Sequence, residues 1–284
     1  MSHRAFSVPL PSGPLALGRA PMVMGVVNVT PDSFSDGGDN ADPMTALASA
    51  RRMVGEGAAI IDVGGESTRP GADEVGTATE LARVMPVIEA LAGAKLGAIL
   101  SIDTNKAEVA RQALAAGAEI LNDVHGLQSE PELAGFAAES GAAAVAMHWD
   151  PVRDEAKDVI GEIKRYFEKS IGIAEAAGLP RNRLMLDPGF GFAKTFAENY
   201  EILHRLDEIA ALGYPLLVGM SRKSMLGRLL GTPPKERLAG TVATSVIAWQ
   251  KGAHIFRVHD VRANLDGLRV AMAAAYGPPA PAEA

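Results

Sequence analysis

Two kinds of hydrophobic pattern alternate along the chain. Short runs of apolar and β-branched residues are typical of strands buried on both faces, whereas apolar residues spaced three and four positions apart are typical of helices with one buried face. The second pattern is clear where Leu81, Val84 and Ile88 recur on one helical face. The first pattern predicts eight strands, at residues 22–29, 58–63, 98–102, 119–122, 142–147, 183–186, 215–218 and 254–258.

The alternation of strands with helices predicts a parallel sheet, and eight such units in one chain predict a closed (β/α)8 TIM barrel. The alternative is an open, doubly wound sheet. Its dinucleotide-binding form is disfavoured because no Gly-x-Gly-x-x-Gly motif follows the first strand. We expect an N-terminal extension at residues 1–20, a single barrel at 21–276 and a flexible tail at 277–284.

Composition and charge narrow the classes of partner. The 284 residues carry a formal net charge of -7 with scattered Lys and Arg, which disfavours nucleic acid or an anionic membrane as the main partner. The sequence has no cysteine, so disulfides, thiolate metal sites and cysteine nucleophiles are excluded. The N-terminus lacks the apolar segment of a signal peptide, and no apolar run approaches the roughly 18 residues of a membrane span. We therefore expect a cytoplasmic protein.

Polar side chains gather where the predicted strands end. A single polar residue at a strand end is ordinarily a structural cap, but here nearly every strand has one. Because the carboxyl ends of barrel strands meet on one face, where such enzymes hold their catalytic groups, this pattern predicts an active site there. The residues concerned are Asn28, Asp62, Asp103, Asn122, Asp123, His148, Asp187, Ser221, Arg222, Lys223, Arg257, His259 and Asp260.

The segments that follow the first two strands are long and rich in turn-forming residues. They are residues 27–38, which include two adjacent glycines, and residues 64–72, which add the cation Arg69. Ordered loops of this length between a strand and a helix are usually functional. A surface loop without a function is the alternative interpretation.

Seven segments resemble the successive signature blocks of the dihydropteroate synthases. In chain order they are MGVVNVTPDSFSDGG, DVGGESTRPGA, SIDT, ILNDV, LDPGFGFAKT, VGMSRKSMLG and FRVHDV, and they extend from about Met22 to Val261. The resemblance implies a transferase of folate biosynthesis. It would condense (7,8-dihydropterin-6-yl)methyl diphosphate with 4-aminobenzoate and release diphosphate. SIDT alone would be a weak signal of this family, whereas seven blocks in the family's order are a strong one.

The resemblance assigns four residues to the pterin: Asp103, Asn122, Asp187 and Lys223. A carboxylate suits the adjacent amino and ring N–H groups of a pterin because both of its oxygens accept hydrogen bonds. Asp187 is implied in that role, and Lys223 is implied as the donor to the pterin carbonyl and N5. A structural network of ion pairs is the alternative for these side chains.

The resemblance also assigns residues to the diphosphate: Asn28, Thr68, Arg69, Arg257 and His259. Asn28 is implied as a ligand of the cofactor Mg2+, an ion that uses few protein ligands. Arg257 and His259 are two residues apart on the predicted last strand and should point to the same side. The implied catalytic residues are Asp103, Lys223, Arg257 and His259. A buried structural histidine is the alternative for His259.

The second substrate is assigned to another group by the same resemblance. Phe34, Thr68, Pro70 and Ser224 would contact 4-aminobenzoate, with backbone N–H groups near Ser224 facing its carboxylate. Phe190 and Phe192 are further candidates for contact with flat rings, or are core residues. The family resemblance also implies a homodimer.

Two further functions fit parts of these motifs. A barrel of the methyltetrahydrofolate methyltransferase type would share the pterin residues, but it has no need of the diphosphate residues and works with a corrinoid partner. A non-catalytic paralogue would bind the pterin without condensing it. One segment departs from the family pattern: Trp149, Asp150 and Arg153 follow His148, so no site role is carried onto this segment.

Overall fold

The computed structural model describes residues 3–30, 42–67 and 75–279. Eight parallel strands form one sheet, in which neighbouring strands follow in the order 184–187, 143–147, 120–123, 99–103, 60–64, 22–28, 255–258 and 217–218. The two outer strands of this order also meet, because Leu186 N donates to Pro215 O at 3.0 Å and Leu186 bridges Leu216 in parallel. The sheet is therefore a closed barrel, and the predicted fold is confirmed.

The barrel strands lie close to the predicted positions. They are β3 (Met22–Asn28), β4 (Ile60–Gly64), β5 (Ile99–Asp103), β6 (Ile120–Asp123), β7 (Ala143–Met147), β8 (Leu184–Asp187), β9 (Leu217–Val218) and β10 (Ile255–Val258). The largest difference from prediction is at β9, where the ladder pairs only two residues with β10.

Ten helices connect or follow the strands in the described part of the chain. They are α1 (Pro43–Gly55), α2 (Thr77–Ala94), α3 (Ala107–Ala115), α4 (Glu132–Ser140), α5 (Val159–Ala176), α6 (Phe196–His204), α7 (Leu206–Ala210), α8 (Ser224–Leu230), α9 (Leu238–Gln250) and α10 (Val261–Tyr276). None of them is long and apolar enough to cross a membrane.

Local capping sets several helix starts. The Asp42 side chain accepts a hydrogen bond from Thr45 N, and Pro43 provides a first residue that needs no N–H partner. Thr195 and Glu198 form a reciprocal capping box at the start of α6. Because the loop between β8 and α6 ends at this cap, the cap also limits where that loop can lie.

A hairpin closes the amino end of the barrel. Strands β1 (Phe6–Val8) and β2 (Leu15–Leu17) pair antiparallel, and their buried side chains pack with residues from inside the barrel. The packed set comprises Val8, Leu10, Leu15, Leu17, Met24, Ile60, Ile120, Ala143, Val145, Met185, Leu217 and Ile255. The sequence pattern did not predict these two strands, because three-residue strands are too short to show periodicity. The carboxyl end is therefore the open end of the barrel.

We predict that the hairpin and the barrel unfold together. Leu17 is 3% exposed, so Leu17→Ala removes buried contacts from the barrel core and should lower the free energy of unfolding by about 2–4 kcal/mol in urea titrations. Ala16→Ser, at the exposed position next to it, should change this value by less than about 0.5 kcal/mol. Equal stability of the two variants would show that the hairpin does not contribute to the core.

Candidate active site

Arg257 joins two carboxylates at the carboxyl end of the barrel. Its Nε donates to Asp62 Oδ2 at 2.6 Å and its Nη2 donates to Asp103 Oδ2 at 2.6 Å. The three residues lie on β10, β4 and β5, so the contacts connect strands from different parts of the barrel. The two carboxylates raise the pKa of Arg257 above its already high value, although burial alone acts in the opposite direction. Arg257 is therefore a permanent cation of the site.

Asp62 is fully buried, and both of its oxygens have partners inside the protein. Oδ1 accepts from Ser101 Oγ at 2.5 Å, and Oδ2 accepts from Asn122 Nδ2 at 3.2 Å as well as from Arg257. Asp62 therefore orients two predicted site residues. The sequence marked Asp62 only as one of the polar strand ends, so this role was missed.

Asn122 and Asp103 keep atoms available for a ligand. Because Asn122 donates its amide N–H to Asp62, its Oδ1 remains as an acceptor. Asp103 contacts Arg257 through Oδ2, and no other described residue donates to its Oδ1. Burial raises the pKa of Asp103 to about 7, with Arg257 acting against this shift and Asp62 adding to it. The Asp103 carboxyl is therefore sensitive to any cationic ligand.

Asp187 and Lys223 form the other side of the same site. Asp187 ends β8 and accepts from Gly189 N at 2.8 Å through Oδ1. Burial raises the pKa of Asp187, and Lys223 is the strongest of the charges that oppose this shift. Lys223 donates to Phe190 O, and its Nζ lies 4.5 Å from the centre of the Phe192 ring. Burial also lowers the pKa of Lys223 to about 8.

The two sides of the site approach one another at Gly219. A Cβ atom on this residue would lie 3.8 Å from Arg257 Cβ and 3.9 Å from Lys223 Nζ. Arg257 and Lys223, which the sequence predicted for different parts of the ligand, are therefore neighbours. The predicted convergence of residues distant in the chain is present among the described residues.

His259 is positioned differently from the prediction. Strand β10 ends at Val258, so the prediction that His259 lies on the strand with Arg257 is wrong. The reason is that His259 bonds to the loop after β9: its N donates to Ser221 Oγ at 3.2 Å, and its Nδ1 lies 3.0 Å from the same hydroxyl. The Ser221 hydroxyl therefore sets the position of the imidazole at the rim.

Asn28 lies beside Asp103 at the mouth of the barrel. A Cβ atom on Gly64 would lie 3.5 Å from Asp103 Oδ2 and 3.8 Å from Asn28 Oδ1. No group of three or more His, Asp or Glu side chains that could hold a metal occurs in residues 3–30, 42–67 and 75–279. A neutral amide oxygen beside a carboxylate fits an oxygen-seeking ion that binds mainly through its substrate, such as Mg2+.

The residues predicted on the two long loops are only partly described. Phe34, Thr68, Arg69 and Pro70 lie outside the described residues. The ends of the second loop are joined by the carboxylate of Glu66, which accepts from Val75 N at 3.1 Å and from Lys106 Nζ. Lys106 Nζ also donates to buried Glu80 at 2.7 Å, so the base of this loop is anchored to α2.

Ser224 is the first residue of α8, and Lys223 precedes it as the cap residue of that helix. Their adjacency brings the start of α8 to the pterin side of the site. Arg237 fixes this turn by donating to Arg222 O at 2.8 Å and to Lys223 O at 3.3 Å.

The segment that departs from the family pattern contacts the β8–α6 loop, residues 188–195. Trp149 stacks on His125 with ring centres 4.7 Å apart and lies 5.4 Å from the Phe192 ring. Arg153 is buried and donates to Ala193 O at 3.1 Å and to Glu198 Oε2 at 2.5 Å. These contacts were not predicted, because they join residues between 24 and 45 positions apart.

His148 is a buried residue behind the site. Its Nδ1 lies 2.9 Å from Lys194 Nζ, and burial lowers the pKa of His148 to about 2. The imidazole is therefore neutral, and its Nδ1 can accept from Lys194 when that amine is protonated. The interpretation of His148 as a structural residue fits this position. Lys194 was not predicted as a residue of the site region, although it lies in the quoted motif LDPGFGFAKT.

Comparisons with known proteins agree with this geometry. The pterin binding enzyme family matches residues 24–259. Dihydropteroate synthase of Escherichia coli (strain K12) is 49% identical over 256 residues, which cover 88% of this chain and 90% of that protein. Xanthomonas albilineans dihydropteroate synthase, solved with 4-aminobenzoic acid, has a TM-score of 0.88 and 44% identity, covering 96% of this chain and 100% of that one. A Coxiella burnetii dihydropteroate synthase in complex with pteroic acid has a TM-score of 0.87 and 34% identity, covering 95% and 99%.

The closed barrel, with buried carboxylates and cations at its carboxyl end, defines an enzyme of the (β/α)8 class with a small-molecule site at that end. The chain belongs to the pterin binding enzyme family and, within it, to the dihydropteroate synthases. It is a transferase.

We predict that Asp62 stabilises the protein through Arg257. Asp62→Ala leaves the guanidinium with one of its two carboxylates and should lower the free energy of unfolding by about 3 kcal/mol in urea titrations. Asp266→Ala removes the partner of Arg262 in an ion pair whose side chains are more than half exposed, and should cost less than about 1 kcal/mol. An Asp62→Ala variant no less stable than Asp266→Ala would contradict the role given to Asp62.

Proposed function

We propose that this chain condenses (7,8-dihydropterin-6-yl)methyl diphosphate with 4-aminobenzoate to give 7,8-dihydropteroate and diphosphate. One observation carries the proposal: Asp103, Asp187, Lys223 and Arg257 lie together at one end of the barrel, with hydrogen-bonding atoms left for a ligand. We place the reaction in the cytoplasm, as expected from the sequence.

The pterin ring is recognised by the side chains of Asp187, Asn122 and Lys223. Asp187 accepts from the amino and ring N–H groups of the pterin through one oxygen each, because Oδ1 has a second lone pair besides the one that Gly189 N uses. Asn122 Oδ1 accepts from a neighbouring ring N–H. Lys223 donates to the pterin carbonyl and N5, and turning toward them requires only that it exchange its contact with Phe190 O. Supporting this assignment, all three groups are buried or partly buried, so water competes weakly for them.

The chemical step is the loss of diphosphate from the pterin methylene. As the C–O bond breaks, positive charge develops on the dihydropterin and spreads through its ring, and the carboxylates of Asp103 and Asp187 stabilise it. The amine of 4-aminobenzoate then forms the new C–N bond and loses a proton to solvent. The reaction needs no covalent intermediate with the protein, so binding and orientation provide the remaining acceleration.

The leaving diphosphate is assigned to Asn28, Thr68, Arg69, Arg257 and His259. Arg257 holds Asp62 and Asp103 with Nε and Nη2, which leaves Nη1 for a phosphate oxygen. Asn28 would hold Mg2+ through its amide oxygen. When bound, the ion supplies positive charge that neutralises the diphosphate. The hydrogen bond between His259 and Ser221 supports this role because it holds the ring at the rim.

The second substrate is assigned to Phe34, Thr68, Pro70 and Ser224. Ser224 follows Lys223 in the chain, so a carboxylate bound at Ser224 would lie close to the pterin site. This places the aniline nitrogen toward the methylene from which diphosphate departs.

The proposed function is tested by supplying dihydropterin diphosphate, 4-aminobenzoate and Mg2+. We expect dihydropteroate and diphosphate in equal amounts. In Lys223→Ala, turnover should fall by about 10²-fold because a donor to the pterin is lost. Lys235→Ala is a control, because Lys235 lies on an exposed turn before α9. Pteroic acid bound by wild-type protein that makes no product would favour the non-catalytic paralogue.

The pH dependence follows from the charge of Lys223. The pKa of this group is lowered to about 8, and its protonated form donates to the pterin more strongly than the neutral amine because its hydrogen bonds are charge-assisted. We predict that kcat/KM for dihydropterin diphosphate falls as pH rises through about 8. Lys223→Arg should lose this basic limb, since guanidinium does not deprotonate in that range. An unchanged limb in Lys223→Arg would assign the titration to another group.

We propose that the enzyme is a homodimer formed through α8, α9 and α10. Exposed apolar side chains lie on these three helices: Leu229, Leu230, Leu238, Ile247 and Val270. The helices form one surface because α9 lies close to both of the others. A Cβ atom on Gly267 of α10 would lie 2.4 Å from Val242 Cγ1, and one on Gly240 of α9 would lie 2.9 Å from Leu230 Cδ1. A second copy of the chain would cover this surface.

The dimer is tested by Ile247→Glu, which introduces a charge at a 41% exposed position on α9. Sedimentation should show a dimer for the wild type and a monomer for this variant. Val152→Glu, at a 90% exposed position far from these helices in the chain, should remain a dimer. A monomeric wild type, or dimers of all three proteins, would contradict the proposed interface.

A further inference from the structure

Lys194 lies on the β8–α6 loop, and its side chain turns back beneath that loop. Its Nζ donates to Phe192 O at 2.9 Å and to His148 O at 3.3 Å, and it lies 2.9 Å from His148 Nδ1. The loop after β8 is thereby connected to the end of β7. The roles proposed above leave Lys194 without a function, although it is partly buried within the site region.

The surroundings of Lys194 match the charged form of the amine. Two carbonyl oxygens and the imidazole nitrogen provide three acceptors, and an ammonium group has three N–H donors. His148 is neutral because burial lowers its pKa to about 2, so Nδ1 carries a lone pair. The three contacts can therefore form together when Lys194 is protonated.

Gly189 separates Lys194 from Asp187. Its N–H donates to Asp187 Oδ1 at 2.8 Å, and a Cβ atom on it would lie 3.3 Å from Lys194 Nζ and 2.1 Å from His148 O. The residue has φ +70, so glycine is required here both for its backbone conformation and for space. Lys194 Nζ and the carboxylate assigned to the pterin therefore both lie against Gly189.

We propose that Lys194 is a positioning residue for the pterin substrate, which fixes the β8–α6 loop against β7 and keeps Asp187 ionised. The positive charge of Lys194 acts on Asp187 together with those of Lys223 and Arg257. This inference rests on the proposed function, because it concerns the same pterin site.

The charges around these two groups give the sign of the effect. Burial raises the pKa of Asp187, while Lys223, the Gly189 N–H, Lys194 and Arg257 act against the rise. Lys194 itself has a pKa lowered to about 7 by burial, opposed by Asp187 and Glu198 and reinforced by Lys223 and Arg153. Below about pH 7 Lys194 is mostly charged. Removing this charge by substitution would raise the pKa of Asp187 further.

The test compares Lys194→Met, Lys194→Gln and Lys194→Arg with the wild type. The Met variant removes both donor and charge, the Gln variant keeps a donor without charge, and the Arg variant keeps the charge. Lys169→Met, at an exposed position on α5, is the matched control. The measurements are calorimetric binding of pteroic acid across acid and neutral pH, and kcat and KM for each substrate.

We expect the affinity for pteroic acid to fall as pH is lowered, and we call this fall the acid limb. In the Met and Gln variants the acid limb should lie roughly one pH unit higher than in the wild type. In that acid range, affinity should fall about tenfold, and KM for the pterin diphosphate should rise by a similar factor. KM for 4-aminobenzoate should change much less. Lys194→Arg should keep the wild-type limb even if its larger side chain lowers kcat.

A wild-type acid limb in the Gln variant would overturn the proposal. An equal rise in KM for both substrates would also overturn it. If Lys194→Met does not fold, the Gln variant decides between these results. Two outcomes distinguish failure of the Lys194 proposal from failure of the proposed function. In the first case the wild type makes dihydropteroate and the limb does not move, whereas in the second the wild type makes no product.

Discussion

The bridge from Arg257 to Asp62 and Asp103 is the interaction on which the site depends. A guanidinium that binds two carboxylates fixes their separation, because its donors are planar and rigid. Asp62 transmits this constraint to Asn122 and Ser101, so four neighbouring strands are held in one arrangement. The remaining atoms of these side chains are those left for the ligand.

Burial gives the site its electrostatic character. Removing charges from water disfavours ionisation, so Asp103 and Asp187 have raised pKa values while Lys223 and Lys194 have lowered ones. The opposite charges partly compensate one another in the absence of substrate. A substrate that develops positive charge on one side and releases a diphosphate on the other matches this division. In the proposed arrangement, the carboxylates of Asp103 and Asp187 meet the ring, and Arg257 meets the leaving group.

The sequence predicted the barrel and the gathering of polar strand ends on one face because both depend on local pattern. Short buried strands alternate with helices, and a polar strand end must lie at the carboxyl face once the barrel closes. The roles of Asp62 and Lys194 were missed because their partners are far away in the chain, such as Arg257 for Asp62. The hairpin that closes the amino end was missed because its strands are short, and His259 was misplaced because Ser221 positions it beyond β10. Contacts of this kind depend on tertiary packing, which periodicity does not encode.

A crystal structure of this protein with bound pteroic acid tests the central claim most directly. The account predicts the pterin ring within hydrogen-bonding distance of Asp187 and Asn122, with its benzoyl carboxylate toward Ser224. A cleft at the amino end of the barrel, lined by His3, Arg4 and Lys251 among others, offers a contrasting location. Pteroic acid bound there, or at the carboxyl end without contact to Asp187, would contradict the account.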